Sequence, residues 1–383
     1  MPLSVTRATL ITAALLLARA NSSSAQRTAV EPPPRRLSGT PTEFPLPFSS
    51  VRSVTALPDG RLVLTDPRDK EIQLLDWSRG TAVSLARSGA GPREFRDPGS
   101  GYRARGGGLL VYDQRQQRFL PITSSGSVLD IIPLPLKPGG FTINPEEPDQ
   151  FVPDSLGNLY TMGSLGHPRT GRDSLPLLRV DRHGVVTDTI AYLLQQEFRS
   201  VAGPDPRMSL GLLVGFSPQD AWAVAPDGWV AVVRAEPYRV DWFSPTSARI
   251  RGQVIPYAAL PVTNADHDAA RAQLRAAAPP RVTTNGESRN LAMPVIEPPL
   301  RDVRPPFPPQ RLAPDPRGRI WVGRSAAADA TERTYDVLDR RGVVVDRVAF
   351  PAATRLVGFD ARSLYTVRKD DDDLLHLQRF KLP

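Results

Sequence analysis

Short stretches of alternating apolar and polar residues, each interrupted by a turn rich in Gly, Asp or Pro, recur along most of this chain. Three copies are plain: VTALPDGRLVLTD (Val54–Asp66), AWAVAPDGWVAVVR (Ala221–Arg234) and RLAPDPRGRIWVGR (Arg311–Arg324). Three are looser: YRARGGGLLVYD (Tyr102–Asp113), FVPDSLGNLYTM (Phe151–Met162) and RLVGFDARSLYTVR (Arg355–Arg368). The period-two alternation and the turn residues spell a β-hairpin in each copy. A repeat this short cannot bury its own apolar face, so the copies must pack against one another.

A second hairpin follows each first one. In EIQLLDWSRGTAVSLA (Glu71–Ala86) its turn opens at Asp76 and closes at Gly80. Asp181 with Gly184, Asp339 with Gly342, Thr123 with Gly126, and Asp241 with Pro245 repeat the scheme. Asp accepts hydrogen bonds from the turn backbone, and Gly takes the positive φ a tight turn needs. Each unit is therefore four strands, a to d, and the expected fold is all-β: a six-bladed β-propeller of four-stranded antiparallel blades. The last unit runs out after strand c (Leu374–Lys381), and Thr42–Phe48 is the natural donor of its outer strand, closing the ring from the N-terminal side. Pro45 and Pro47 suit an outermost strand, which needs no full set of backbone donors.

Strand direction sorts the connections. The a–b and c–d turns fall on one face and are short. The b–c turns and the links between units fall on the other, and they include Arg87–Gly101, Pro135–Gln150, Gly163–Pro176, Leu194–Asp220 and Pro256–Gln310. Loops on a rigid scaffold are where binding concentrates, so this long-loop face is the expected functional face. The largest insertion, about 261–310, predicts a helix over Ala265–Ala278 capped by Asn264, then a Pro-rich strap, Met293–Gln310.

The N-terminus stands apart. Arg7, the apolar stretch Ala8–Ala18 and the small residues Ser23–Ala25 have the layout of a secretory signal peptide, residues 1–25. A Pro-rich linker, 26–41, follows, and the propeller occupies 42–383. An extracytoplasmic protein, periplasmic or secreted, is expected, monomeric and without stable membrane insertion once the signal is removed. The chain has no Cys, so disulfides cannot hold it. The net charge of +8 comes almost wholly from Arg, and the cations are scattered among Asp and Glu without a basic run. Nucleic acid is therefore not an expected partner.

The link RSGAGPREFRDP (Arg87–Pro98) resembles the G-x-G-P-G-E-F segment of NHL-related six-bladed propellers, a group common among exported bacterial proteins. Gly89, Gly91, Pro92, Glu94, Phe95 and Pro98 match, while Arg93 replaces the usual Gly. The resemblance covers about 42–383 and implies that Phe95 packs between neighbouring sheets. It says almost nothing about chemistry.

No G-x-S-x-G elbow and no H-E-x-x-H spacing is present. Of the four histidines, His183 falls in a short c–d turn, His267 on the inserted helix and His376 between leucines in the last strand c, so only His167, in a long b–c loop, is well placed for a site. The run Lys369–Asp373 reads as a solvated turn. No catalytic residue, cofactor or metal is expected. Near the starts of different inner strands stand Arg52, Arg103, Arg311 and Arg355, joined by Asp220 and Trp222 as candidate ligand-binding residues. Guanidinium groups ringing a channel mouth would favour a carboxylate or phosphate. The competing expectation is that these arginines pair with acidic residues on adjacent blades. The function expected is a non-enzymatic scaffold binding a protein partner or small anionic ligand. The alternative is a propeller hydrolase or lyase acting at the central channel.

Overall fold

The computed structural model describes residues 32–37, 39–134, 151–163, 173–202, 209–276, 281–284, 287–290 and 297–383. The signal-peptide segment, His167 and the loop 135–150 lie outside the described residues.

The repeats fold as expected into antiparallel sheets in a propeller-like arrangement. The second copy forms strands Pro98–Arg103, Leu109–Asp113, Arg118–Ile122 and Ile132–Pro133. The third and fourth copies likewise form four-stranded sheets, each in sequential order. The fifth comprises Leu312–Pro314, Ile320–Gly323, Glu332–Leu338 and Val344–Pro351. Its outer edge carries a fifth strand, Arg35–Arg36, paired in parallel with Val348–Ala349. Part of the Pro-rich segment is thus tied to a sheet, with Arg35 on Asp346 and Arg36 on Glu332.

The first and last copies differ from the expected separate blades: they share one eight-stranded sheet. Its middle link is parallel and only two residue pairs long, Gly358 with Val54 and Phe359 with Thr55. The physical reason is Gly358. A Cβ there would lie 1.9 Å from the Val54 carbonyl oxygen, so only glycine lets the two inner strands approach closely enough to pair. At the sheet's other end, Thr42–Phe48 pairs antiparallel with Leu375–Lys381 and supplies the strand the last copy lacks.

Packing follows the repeat. Most buried apolar clusters are shared by copies adjacent in sequence. Tyr160 and Leu177 meet Val232 and Phe243, for example, and Trp242 and Val240 meet Ile320 and Leu338. One cluster joins the last copy to the first, with Val357, Tyr365 and Val367 against Val54, Leu62 and Leu64, and Phe44 and Phe48 inserted beside them. Phe95 is 1% exposed and sits between the sheets of the first and second copies, with Val63 and Ile72 on one side and Val111 and Leu120 on the other.

The turns use the chemistry read from the sequence. Asp315 accepts bonds from Arg317 N, Arg319 N and the Trp321 indole, so one carboxylate shapes the turn and orients the next strand's aromatic ring. Asp154 does the same for Leu156 N and the Tyr160 hydroxyl. Short turns of neighbouring copies also touch. Arg61 Nη2 donates to Ser125 O, and Arg340 pairs with Asp227 while lying 4.8 Å from the Trp229 ring centroid.

The long connections hold structure that the hydrophobic pattern does not announce. Phe198–Ala202 and Ser209–Leu213 form a two-stranded ribbon, as do Arg281–Thr284 and Glu287–Asn290. The helix spans Asn264–Ala276, so Asn264 is its first residue rather than the cap before it. The Asp266 carboxylate accepts from Thr263 N at 2.9 Å and from the Thr263 hydroxyl at 3.1 Å, while Asp266 N donates to the Thr263 backbone carbonyl at 3.0 Å, which is half of a capping box. Among the described residues no helix is long and apolar enough to cross a membrane.

The closing strand should be felt in stability. Phe44→Ala removes a ring that is 1% exposed and should cost about 3–5 kcal/mol. Arg36→Ala breaks one exposed pair and should cost under about 0.5 kcal/mol. Urea unfolding at neutral pH measures both, and equal losses would show that Thr42–Phe48 contributes no more than the outer tail.

Candidate functional site

Two kinds of arginine can be told apart by their partners. The first kind is paired. Arg118 is buried against Asp113, with its Nη2 donating to Glu94 O at 2.7 Å, which fixes the link before the second sheet. Asp241 is fully buried and receives Arg239 at 3.1 Å, Arg249 at 2.7 Å and Arg234 at 3.5 Å. Asp336 receives Arg347 at 2.7 Å and the Tyr238 hydroxyl at 2.9 Å. In these pairs each cation serves a carboxylate of its own sheet.

The second kind is Arg52, Arg103, Arg311, Arg333 and Arg355. Among the described residues, none of these five makes an ion pair with a carboxylate. Arg311 opens the inner strand of the fifth sheet and lies against Gly323, where an added Cβ would come within 2.8 Å of Arg311 Cβ and 3.1 Å of the Tyr335 ring. Arg355 Nη2 donates to Val51 O, directly beside Arg52.

The electrostatics follow from crowding. Burial, followed by the neighbouring charge of Arg333, holds the Arg311 guanidinium below its ordinary value. Burial lowers Arg355 as well, with Tyr335 opposing and Arg52 reinforcing the shift. Arg103 is lowered by burial, with Asp360 opposing. Tyr335 is pushed up by burial, while Arg311, Arg355 and Arg333 pull it back. Arg355 is nevertheless exposed to water.

Beside this cluster lies a cleft of about 540 Å³. One wall comes from the link before the fourth sheet, with Gln196, Phe216, Ser217 and Gln219. The Pro-rich strap forms the second wall through Arg304, Pro305, Pro308, Pro309 and Gln310. The third wall is the b–c connection of the fifth sheet, Ser325–Ala328, and Arg311 and Arg333 complete the lining.

The strap is firmly held. Gly215 N donates to Pro299 O at 2.8 Å and Arg304 N to Leu260 O at 2.8 Å. Phe307 is 1% exposed and packs 5.6 Å from Tyr238, within the core shared by the fourth and fifth sheets. Arg304 pairs with Asp266 and so ties the strap to the helix.

Not every sequence candidate joins the site. Asp220 accepts from Leu194 N, Ala235 N and Arg234 Nη1, so its oxygens are occupied in tying two loops together. Trp222 packs half-buried against the core between the third and fourth sheets. Sequence reasoning missed Arg333 and Tyr335, which project from strand c, and Phe216, which sits in an unpatterned loop. Its positive φ of 58° leaves no mark in sequence. His376 bridges Asp370 at 2.7 Å and Glu43 at 3.1 Å, joining the closing strand to the last turn rather than facing the cleft. Among the described residues no three His, Asp or Glu side chains gather as a metal-binding group.

No family model matches the chain. No curated protein matches it either. Solved structures are similar only remotely. A protein of Bacteroides fragilis thought to be exported is 11% identical with a TM-score of 0.47, over 90% of this chain and 95% of that one. Virginiamycin B lyase from Staphylococcus aureus, crystallised with quinupristin, is 10% identical with a TM-score of 0.40, over 90% and 99%. Regucalcin, a calcium-binding protein from Agrobacterium tumefaciens, is 14% identical with a TM-score of 0.38, over 88% and 92%. At such distances, what those proteins bind or act on does not transfer.

The two kinds of arginine predict opposite mutant effects. Arg118→Gln strands a buried carboxylate and should cost about 3 kcal/mol. Arg311→Gln or Arg355→Gln relieves like-charge crowding and should raise stability by about 0.5–1 kcal/mol. Thermal unfolding in low-salt buffer distinguishes them, and a clear loss from the second pair would reveal a structural role.

A pH dependence follows from Asp241. Burial pushes its carboxyl up, but the bonds and charges of Arg239 and Arg249 outweigh this and leave it below the ordinary value. The resulting stabilisation is present above the unfolded carboxylate pKa and disappears as pH falls through the folded one. Asp241→Asn should therefore cost about 3 kcal/mol near pH 7, and the gap from the unaltered protein should close in acid. A gap that persists below the carboxylate range would contradict this.

Proposed function

We propose that this protein is an exported six-bladed β-propeller, NHL-like in its blade links, that binds a small anionic ligand at the channel mouth on its long-loop face. The blade count treats the eight-stranded sheet as two blades, supported by the two-pair parallel link at its middle. The Arg7–Ala25 pattern supports export. The ligand reading is carried by one observation: Arg311, Arg333 and Arg355 converge on Tyr335, with Arg52 beside Arg355, and none of the four has an acidic partner among the described residues.

Guanidinium groups without a carboxylate partner at a partly desolvated site are poised for a planar carboxylate or for phosphate, because they present forked donors for which no internal anion competes. A concave site beside a cleft of about 540 Å³ favours a small molecule over a protein surface. Asp220 and Trp222 serve the scaffold in this reading. Binding, rather than turnover, is the activity.

Calorimetry with inorganic phosphate and with citrate tests this, at fixed ionic strength set by sodium chloride. At least one anion should bind stoichiometrically. Arg311→Gln combined with Arg355→Gln should weaken it more than about tenfold, or about 1.4 kcal/mol. Absence of heat for both anions, or unchanged affinity in the double variant, defeats the reading.

A further inference from the structure

The cleft next to the arginines has a second chemistry. Phe216 forms part of its wall and is only half-buried. Its φ is 58°, in the left-handed region that a bulky side chain rarely adopts. Such strain persists only where the surroundings over-determine it, and it gathers at ligand clamps. Here the flanking backbone is pinned on both sides: Val214 N donates to Glu197 O and Gly215 N to Pro299 O, each at 2.8 Å, while Ser217 Oγ accepts from Glu197 N at 3.1 Å. The ring is held out of the neighbouring core clusters and against the cleft.

Arg304 covers one face of that ring at 4.9 Å from its centroid. Its head group is fixed on Asp266, while its Nε is buried and has no acceptor in the protein. The opposite wall is proline and alanine, apolar and stiff. One end of the cleft is therefore cationic, through Arg311 and Arg333, while Phe216, the prolines and Ala326–Ala328 give its body apolar surface beside the polar side chains of Gln196, Gln219 and Gln310.

We propose that the cleft takes an aromatic anion: a carboxylate or phosphate head on Arg311 and Arg333, with a planar apolar body lying against Phe216 and the proline wall. This rests on the anion-binding reading and extends it by naming the ligand class. Aromatic and proline surfaces recognise planar rings by contact area and offset stacking, and a cleft of this volume is of the size that holds small organic ligands. A neutral ring lacks the head, and inorganic phosphate lacks the body.

The test is calorimetry on the full chain with inorganic phosphate, acetate, phenylacetate and 1-naphthylacetate. Affinity should rise along the three carboxylates, with 1-naphthylacetate at least about thirtyfold tighter than acetate, since one ring system supplies a few kcal/mol of apolar contact. Phe216→Gly suits the positive φ, so the fold should survive, read as an unchanged circular dichroism spectrum and cooperative melt. The gain from acetate to naphthylacetate should fall to under about fivefold, by the same area argument. Phe216→Tyr should keep it. Phosphate binding without naphthylacetate binding overturns the aromatic ligand alone, as does a gain that survives in a folded Phe216→Gly protein. Failure of all four anions overturns both this inference and the reading beneath it.

Discussion

The two ends of the chain must meet, and every other feature of the sheets depends on it. Gln378 and Glu43 are 335 residues apart in sequence and bonded at 3.2 Å. Bringing such distant segments together costs loop-closure entropy that no local contact can offset. The return comes from burial: Phe44 and Phe48 enter the cluster that also holds Leu62, Tyr365 and Leu377. With no cysteine available, this apolar seam and the parallel Gly358–Val54 contact do the work a disulfide could do elsewhere. His376 and Arg368, both on Glu43, add polar ties on the same seam.

Closure also explains why the two faces differ. On the short-turn face, side chains of one sheet reach the turns of the next, as when the Trp242 indole donates to Asp339 O at 2.9 Å. A longer turn there would break such contacts. On the other face the buried carboxylates Asp66 and Asp113 hold the roots of the connections. Asp66 accepts from Ser50 N and Arg68 N, and Asp113 from Arg96 N and Asp97 N. With the roots fixed, the chain beyond them is free to vary in length. The helix, the strap and the ribbon at Phe198–Leu213 all lie on such long connections, and the strap forms one wall of the cleft.

What was legible in the sequence is what local chemistry decides. The Asp and Gly of each tight turn act within four residues, so their meaning survives without knowledge of the fold: Asp339 accepts from Arg341 N and Val343 N, and Gly342 has φ 72°. The incomplete last copy was legible by counting strands. Arginine pairing was not, because it depends on which carboxylate the packing brings close. Arg118 and Arg311 look alike in sequence, yet one lies on Asp113 and the other on Tyr335 and Arg333. Asp220 was misjudged for the same reason: its place before an inner strand suggested the channel, while its side chain turns to Arg234 and two backbone amides. The helix begins one residue earlier than expected, at Asn264, where the Asp266 carboxylate reaches back to Thr263 N, a contact that single-residue preferences do not resolve.

The unpaired arginines are then the feature that folding alone does not explain. A chain with 40 acidic residues has carboxylates to spare, and elsewhere they are used densely: Asp241 alone serves three arginines. Leaving Arg52, Arg311, Arg333 and Arg355 crowded on one another lowers stability through desolvation and mutual repulsion. The same site adds a phenylalanine in a strained backbone conformation and a buried Arg304 Nε with no acceptor. Positive φ at non-glycine residues and buried donors without acceptors also occur elsewhere, at Gln117 and Arg179 for example. What sets this place apart is that Phe216, Arg304, Arg311 and Arg333 line one cavity, so the costs there fall where a group from outside the chain can offset them.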